Sequence, residues 1–472
     1  MRPGWPDGGL GRFYSGQPGR SMSDTPTQPR EGSLDAPVRH PVDWQNPDFY
    51  DEEKFDAEFR RQAEVCNSCR RCFNLCDSFP TLFDAVDESE NFEVDDLTAN
   101  DIKATVDGCT LCDMCFLTKC PYVPPHEFNI DFPHLMLRYR AIQQKKGEIP
   151  FADNQLVKTD RNGTLARPVA GVINWATDKK NTGVRTLINT LGDISPDAEL
   201  PKFNTRTLTQ RARTKRDINA DAPAFGKRKV AVYATCFGEY NKPEIGEATL
   251  GVLAKNGIDA KVVYPGCCGM PELEQGNLEK VAANARKVAK ALRPLVDDGY
   301  TIMGLVPSCS LMLKFEWPLI LPEDDDVRAL AAAAMDFDQL IVDVAKTEGL
   351  AEGLKPLKGG ITLHLSCHSR AQNIGQKSTE LLKMIPNTEL NVIERCSGHG
   401  GTWGIKKANH DTAIKVGTPV FRKALDHHNT FVSSTCPLSC DHIKTGINTI
   451  QSDSAPARTW HPIEIFAKAY GL

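Results

Sequence analysis

Along the second half of the chain, short apolar and β-branched runs alternate with longer stretches whose apolar residues recur every three or four positions. KVAVYATC, AKVVYPGCCG and TIMGLVPSCS read as strands, and so do GGITLHLSC, LNVIERC and NTFVSSTC. EIGEATLGVLAKNG reads as a helix with Gly257 as its stop signal. GNLEKVAANARKVAKALRPLVDDGY reads as an amphipathic helix, apolar at Leu278, Val281, Ala285, Val288 and Leu292. Strands alternating with helices predict a mostly parallel sheet. Cysteines fall at the strand ends, and the pairs 236/367, 267/396 and 309/436 are separated by 131, 129 and 127 residues. A nearly constant shift across three landmarks marks an internal duplication. Two pseudo-equivalent α/β lobes, residues 228–345 and 346–472, are therefore expected to face each other across their cysteine-bearing edges. Open α/β sheets place their ligands at that edge. HPIEIFAKAYGL reads as a closing helix.

The first half is patterned differently. Residues 1–50 are rich in Pro, Gly, Ser and charge without apolar periodicity, and read as disordered. Met22 is a candidate second start, which would make the first 21 residues an artefact of start-site choice. From Asp51, DEEKFDAEFRRQAEVCNSC reads as a short acidic helix leading into a run of cysteines. An acidic insert follows, helical near Asp95–Val106, its charge a solvated face. A further helix is expected from about Asp131, with Phe132, Leu135, Met136 and Tyr139 as its apolar stripe. Residues 51–149 thus make one domain. Residues 150–227 make a connector of short helices, ending in a basic stretch read as an exposed linker.

Composition narrows the class. A chain of 472 residues, 40% hydrophobic and 25% charged, holds several soluble domains. A net charge of -5 argues against a nucleic-acid partner. The N-terminus lacks the apolar core of an export signal, and no stretch approaches the roughly 20 apolar residues of a spanning helix. With sixteen cysteines, this points to a reducing cytoplasm and metal ligation. Any membrane contact is then peripheral, on the inner face of the cytoplasmic membrane, or through a partner.

The chemistry concentrates between Cys66 and Cys120. CNSCRRCFNLCD and CTLCDMCFLTKCP have the form C-x2-C-x2-C-x3/4-C, the spacing of two-cluster bacterial ferredoxins. Three thiolates of each run hold one cubane while the fourth crosses to the other. On that rule Cys66, Cys69, Cys72 and Cys120 hold one [4Fe-4S] cluster, and Cys109, Cys112, Cys115 and Cys76 hold the second. Pro121 follows Cys120 as the motif expects, whereas Asp77 follows Cys76 where a proline is usual. A disulfide framework needs an oxidising compartment and usually a short chain. Zinc sites use pairs of C-x2-C separated by a longer loop, and three cysteines in successive steps crowd one metal.

Paired ferredoxin runs, ATCFGEYNKPEIGEA to CCGMPELEQGNLEKV, PSCSLMLKFEWP, CHSRAQNIG and ERCSGHGGTWG together make the chain resemble the iron–sulfur oxidoreductase family. That family includes the iron–sulfur subunits of anaerobic glycerol-3-phosphate dehydrogenase and glycolate oxidase, and heterodisulfide reductase. The resemblance covers about Asp51 to Leu472. It implies an α+β multidomain fold: a helical two-cluster ferredoxin-like domain followed by two duplicated, parallel-sheet "CCG" lobes. Cys236, Cys267, Cys268 and Cys309 match the first CCG motif, with Met312 where its last cysteine would stand. In the second, Cys367, Cys396 and Cys436 match, Ser397 replaces one cysteine of the adjacent pair, and Cys440 follows at C-x3-C spacing. His399 and His368 are candidate substitute ligands, since imidazole suits iron and zinc. An adjacent pair such as Cys267 and Cys268 does not easily form an unstrained disulfide, so ligation accounts for it better than a catalytic thiol pair.

The expected function is an iron–sulfur electron-transfer subunit. Electrons would come from a flavin subunit or other redox partner, and reach a quinone, a thiol/disulfide or a further cluster or metal at the CCG lobes. No G-x-G-x-x-G follows a strand, so flavin or NAD is expected on a partner chain. The alternative is a self-sufficient cluster-based reductase of a disulfide or peroxide-type substrate. An assembly scaffold is disfavoured by two closed sets of four cysteines. Donor, acceptor, substrate and catalytic residues are not encoded in the motifs.

Overall fold

The computed structural model describes residues 36–118 and 120–472; the start site and the disorder expected over residues 1–35 lie outside them. The remainder of that N-terminal segment is ordered. Val42 is buried, Trp44 donates its indole N–H to the Ile320 carbonyl at 2.8 Å, and a 3-10 turn spans Pro47–Tyr50. A charged anchor holds the segment. Arg39 donates to Asp131 at 2.8 Å, to Asp113 at 2.9 Å and to Glu316 at 3.2 Å, with its guanidinium 4.6 Å from the Phe116 ring centroid. Such a pairing cannot be seen in a proline-rich segment, because its partners lie 74 to 277 residues away.

Five helices follow: α1 (Glu52–Cys69), α2 (Ser78–Asp87), α3 (Ala99–Asp107), α4 (Met114–Thr118) and α5 (Phe132–Lys146). Asp51 caps α1 by accepting from the Lys54 N–H. Thr98 and Asp101 form a capping box on α3. Asp131 caps α5 and Gly147 ends it in a left-handed turn. Phe55 and Phe59 of α1, Phe79 and Phe83 of α2, and Phe132 and Met136 of α5 are buried together, with Phe79 and Phe132 stacked at 4.6 Å. α1 runs through the first two cysteines rather than stopping before them, so Cys66 and Cys69 sit one turn apart on a helix.

The connector carries short helices from Phe151 to Arg211. Its basic end is not a free linker. Leu208 is fully buried, Thr209 donates to Glu239, and Arg211 pairs with Glu247 at 2.8 Å.

Among the described residues seven strands make two sheets. β1 (Val230–Tyr233), β2 (Ala260–Val263), β3 (Thr301–Gly304) and β4 (Ala334–Asp336) form the first, in the order β2-β1-β3-β4. β5 (Ile361–His364), β6 (Leu390–Ile393) and β7 (Phe431–Ser434) form the second, in the order β6-β5-β7. All pairings are parallel. Equivalent strands give the same central order, as a duplication requires. β4 is the addition the sequence pattern hides, three residues inside an alanine-rich, helix-like run. Helix Leu278–Asp297 buries Leu278, Val281, Ala285, Val288 and Leu292, the stripe read from its periodicity. The C-terminal edges of the two sheets meet. Lys314 bonds Gln372 at 2.9 Å, and Gln372 reaches back to the Asp336 carboxylate at 2.5 Å. Among the described residues no helix is long and apolar enough to cross a membrane.

Candidate metal centres

In the helical domain the backbone turns sharply around each cysteine run. Arg70, with φ of 48°, ends α1 in the left-handed region directly after Cys69. Leu111 (φ 47°) and Asp113 (φ 60°) flank Cys112 in the same uncommon conformation. The thiols fall into two neighbourhoods. Burial pushes the Cys66 thiol up, and Cys120, Cys72 and Cys69 raise it further. Burial does the same to Cys76, with Cys112 and Cys109 adding to it, and to Cys115, beside Cys112, Cys109 and Cys76. Cys72 also faces Cys115, so the neighbourhoods adjoin. Backbone N–H groups aim at the sulfurs: Ser78 and Phe79 at Cys76, Leu111 at Cys109, Met114 at Cys112, and Tyr122 and Val123 at Cys120.

The donor chemistry fits iron–sulfur clusters. Among the described residues no cysteine forms a disulfide, and each neighbourhood holds four sulfurs. Crowded buried thiols resist becoming thiolates together unless a cation balances them, which bound iron does. N–H donors to sulfur are among the means by which a protein sets cluster potentials. Among the described residues no three His, Cys, Asp or Glu side chains close around a point suited to a single metal ion.

The first lobe gathers four thiols at the C-terminal ends of β1, β2 and β3. The sulfurs of Cys268 and Cys309 are 3.1 Å apart, and Cys236 shares a hydrogen bond with Cys267. That bond and its burial raise Cys236, while S–H donation from Cys236 and Cys268 lowers Cys267. Trp317, fully buried, donates to the Cys268 carbonyl at 2.9 Å. The connector contributes here, which sequence reasoning missed. Asp160 accepts from the Cys267 N–H at 3.0 Å and from the Tyr264 hydroxyl, and the Thr159 hydroxyl lies near the thiols of Cys236 and Cys267 and lowers both. Tyr264 was visible in VVYPGCCG as a neighbour of the motif; Asp160 lies more than 100 residues away and carries no local signal.

In the second lobe Cys367, Cys396 and Cys436 approach one another, since Cys396 and Cys436 both raise Cys367. The Gly398 N–H points to the Cys396 sulfur at 3.3 Å. Cys440 is turned away: its thiol donates to the carbonyls of Trp460 at 3.2 Å and Ser434 at 3.5 Å. Ser397 bonds Ser439 at 3.4 Å. Both ring nitrogens of His368 are engaged, Nε2 donating to the Leu111 carbonyl at 3.2 Å and Nδ1 accepting from Ser308 at 2.7 Å.

The lobes and the helical domain meet through sulfur. The thiols of Cys112 and Cys367 lie close together, each the leading influence on the other. Cys436 in turn senses Cys309 of the first lobe. Trp403 donates to the Asp107 carbonyl at 2.7 Å, and Arg140 to the Glu274 carbonyl at 3.0 Å, closing the junction.

Residues 59–146 match the Fer4-like domain of citrate utilization protein B, and residues 230–314 match the cysteine-rich CCG domain. A subunit of anaerobic glycerol-3-phosphate dehydrogenase from Escherichia coli K12 is 29% identical over 318 residues, 66% of this chain and 76% of that protein. Lactate utilization protein A is 33% identical in Geobacillus kaustophilus and 31% in Oceanobacillus iheyensis, over 189 residues and 38% of this chain. Those alignments cover 75% and 73% of the two relatives.

Proposed function

The chain belongs to the iron–sulfur oxidoreductase family with CCG cysteine-rich domains, and from that premise we propose that it is the electron-transfer subunit of a respiratory-type or anaerobic dehydrogenase. Cys66, Cys69, Cys72 and Cys120 hold one [4Fe-4S] cluster in this reading, and Cys76, Cys109, Cys112 and Cys115 a second. Cys236, Cys267, Cys268 and Cys309 offer four further thiolates in the first lobe. When bound, such clusters supply one-electron carriers between a flavin-bearing partner and an acceptor, a quinone or a thiol/disulfide, at the CCG lobes.

The chain's own residues do three things. They supply thiolates in closed sets, they direct backbone N–H groups at the sulfurs, and they exclude water by burying the cysteine edges of both sheets. The observation that carries the reading is the Cys112–Cys367 contact, which joins the ferredoxin-like set to a lobe thiol. Cys72 lies near Cys115 and Cys436 near Cys309, which supports a path for electrons across the three units. Its order is not the order of the sequence, because the helical domain reaches the second lobe's thiols first.

Iron and sulfide per chain after anaerobic purification, with low-temperature EPR of the dithionite-reduced protein, test this directly. About eight irons in the helical domain, with a spin-coupled two-cubane signal, are expected. Fewer than about four irons together with stoichiometric zinc would refute it.

A further inference from the structure

Ser397 and Ser439 stand at the second-lobe positions that correspond to Cys268 and Met312 of the first, shifted by the same 129 and 127 residues as the flanking cysteines. They satisfy each other, and Cys440 is spent on backbone carbonyls. Three thiols, Cys367, Cys396 and Cys436, remain, so any further protein donor must be something other than sulfur.

Two nitrogens stand ready close by. The Nε2 atoms of His399 and His442 are buried and have no hydrogen-bond partner. Their ring centroids are 6.0 Å apart. Metal–nitrogen bonds of about 2.0–2.1 Å hold two imidazole centres roughly 5 Å apart, so a small closing of these rings brings both nitrogens to one metal. His442 is 8% exposed, and the Ala413 backbone lies beside its ring. A proton held on Nδ1 leaves the Nε2 lone pair bare, the arrangement in which proteins present a metal-ligating histidine. His399 is carried three residues past Cys396 on a loop that turns at Gly398, φ 79°. Burial keeps both rings neutral, His399 held down at about 3 and His442 at about 4. An orphaned buried nitrogen costs free energy until something fills its place, and here two such nitrogens sit on neighbouring rings.

We propose that His399 and His442 ligate a transition-metal centre in the second lobe through Nε2, namely an iron of a sulfide-bridged cluster whose remaining protein ligands are drawn from Cys367, Cys396 and Cys436. Two imidazoles leave coordination positions open, and inorganic sulfide fills them, as on the nitrogen-ligated iron of two-iron clusters in which histidines replace cysteines. The inference rests on the lobes being metal-bearing, and it adds that the two lobes differ in kind: sulfur alone in the first, sulfur and nitrogen in the second.

The test uses the full chain, purified anaerobically with 15N-labelled and unlabelled histidine, and reads nitrogen couplings by pulsed EPR. Two imidazole couplings that change with the label are expected in the wild type. His442→Asn and His399→Met should each remove one while the two-cubane signal persists. A single zinc ion held by the same nitrogens would appear instead as one zinc per chain, lost in the double variant with cubane iron unchanged. That result would keep the nitrogen site and replace its metal. No labelled coupling in the wild type, together with full metal content in the double variant, would overturn the proposal and leave a buried water between the rings. Absence of the cubane signal in the wild type would overturn the function proposed above rather than the imidazole pair.

Discussion

The two lobes are one design used twice, and they part at the residues that matter chemically. Both carry a parallel sheet with the same central order and a cysteine at each of three strand ends. In the first, Cys268 and Cys309 are in sulfur–sulfur contact. In the second, the matching region holds a serine pair and two imidazoles whose Nε2 atoms have no partner. Their attachment to the helical domain differs as well. Glu316 of the first lobe joins a buried charge cluster around Arg39, whereas the second lobe is held by Trp403, His368 and the Cys112–Cys367 contact. A duplicated scaffold can therefore keep its architecture while each copy takes a separate donor set, because the sheet is fixed by apolar periodicity and the site by a few loop residues.

The largest effect that separates the lobes should come from their strand-end cysteines. Cys309→Ser removes one of four closely packed thiols of the first lobe. Electron delivery from the reduced protein to an added quinone or disulfide should fall by more than the roughly 10–100-fold typical of disturbing a ligand's supporting partner. The cubane EPR signal should not change. If the cubane signal disappears with it, the first lobe is not independent of the helical domain.

Next in size is the charged seam. Arg39→Met leaves Asp113, Asp131 and Glu316 buried without their counter-charge, which should cost about 3–5 kcal/mol in denaturant unfolding. The seam also gives a pH signature. Against the upward push of burial, Arg39 and His134 hold Asp131 down at about 2. Against burial and the like charge of Arg39, Asp131 and Glu316 raise His134 above its ordinary value. The lowered Asp131 contributes stability that is present above the usual carboxylate range and lost as pH falls toward 2. The raised His134 contributes stability that is complete below about 6.5 and lost as pH rises through its folded value. Acid also protonates cluster-holding thiolates, so the alkaline side is the clean one. Unfolding midpoints between pH 6 and 9 should fall with rising pH, and His134→Gln should flatten that slope. A slope identical in both proteins would mean that the ion cluster does not couple to folding.

Two equivalent glycines separate the lobes more finely. Gly269 and Gly398 follow the adjacent pairs Cys267–Cys268 and Cys396–Ser397, with φ of 85° and 79°. A Cβ on Gly269 would meet only Val281 at 3.7 Å, whereas on Gly398 it would run into the Ala413 carbonyl. Gly269→Ala should cost the left-handed penalty alone, about 1–2 kcal/mol. Gly398→Ala should add overpacking of about 1–3 kcal/mol, and should displace His399. Equal losses in thermal unfolding would show that the second loop yields more easily than its contacts imply.

Much of this comparison was legible in the chain. The helix Leu278–Asp297, six of the seven strands and the duplication follow from periodicity and spacing, because a period of 3.6 or 2 is written locally. Spacing is also what led to the expectation of two crossed ligand sets within Cys66 to Cys120. What escaped has a common cause. Arg39 with its three carboxylates, Asp160 beneath Cys267, and the Cys112–Cys367 junction join residues far apart in sequence, and one sequence has no means of pairing them. β4 was lost because three residues carry no alternation. His442 sits in CPLSCDHI beside a cysteine that drew attention away from it, and only its bare nitrogen singles it out.

That neighbouring cysteine provides the finest cut. At C-x3-C spacing, Cys436 and Cys440 look like a ligand pair. Yet the Cys436 sulfur receives the Ser439 and Leu438 N–H groups and lies near Cys309, while the Cys440 thiol donates to two carbonyls. A hydroxyl can make the same donation, so Cys440→Ser should change stability by about 1 kcal/mol or less and leave metal per chain untouched. Cys436→Ser should lose the second-lobe metal with little change in the cubane signal. Metal analysis of the two variants side by side decides the matter: if both lose the same metal, the cysteine pair is the ligand set and the imidazoles are not needed. If only Cys436→Ser does, a lobe that has given up two of its thiol positions still binds metal, and nitrogen is what completes its donors.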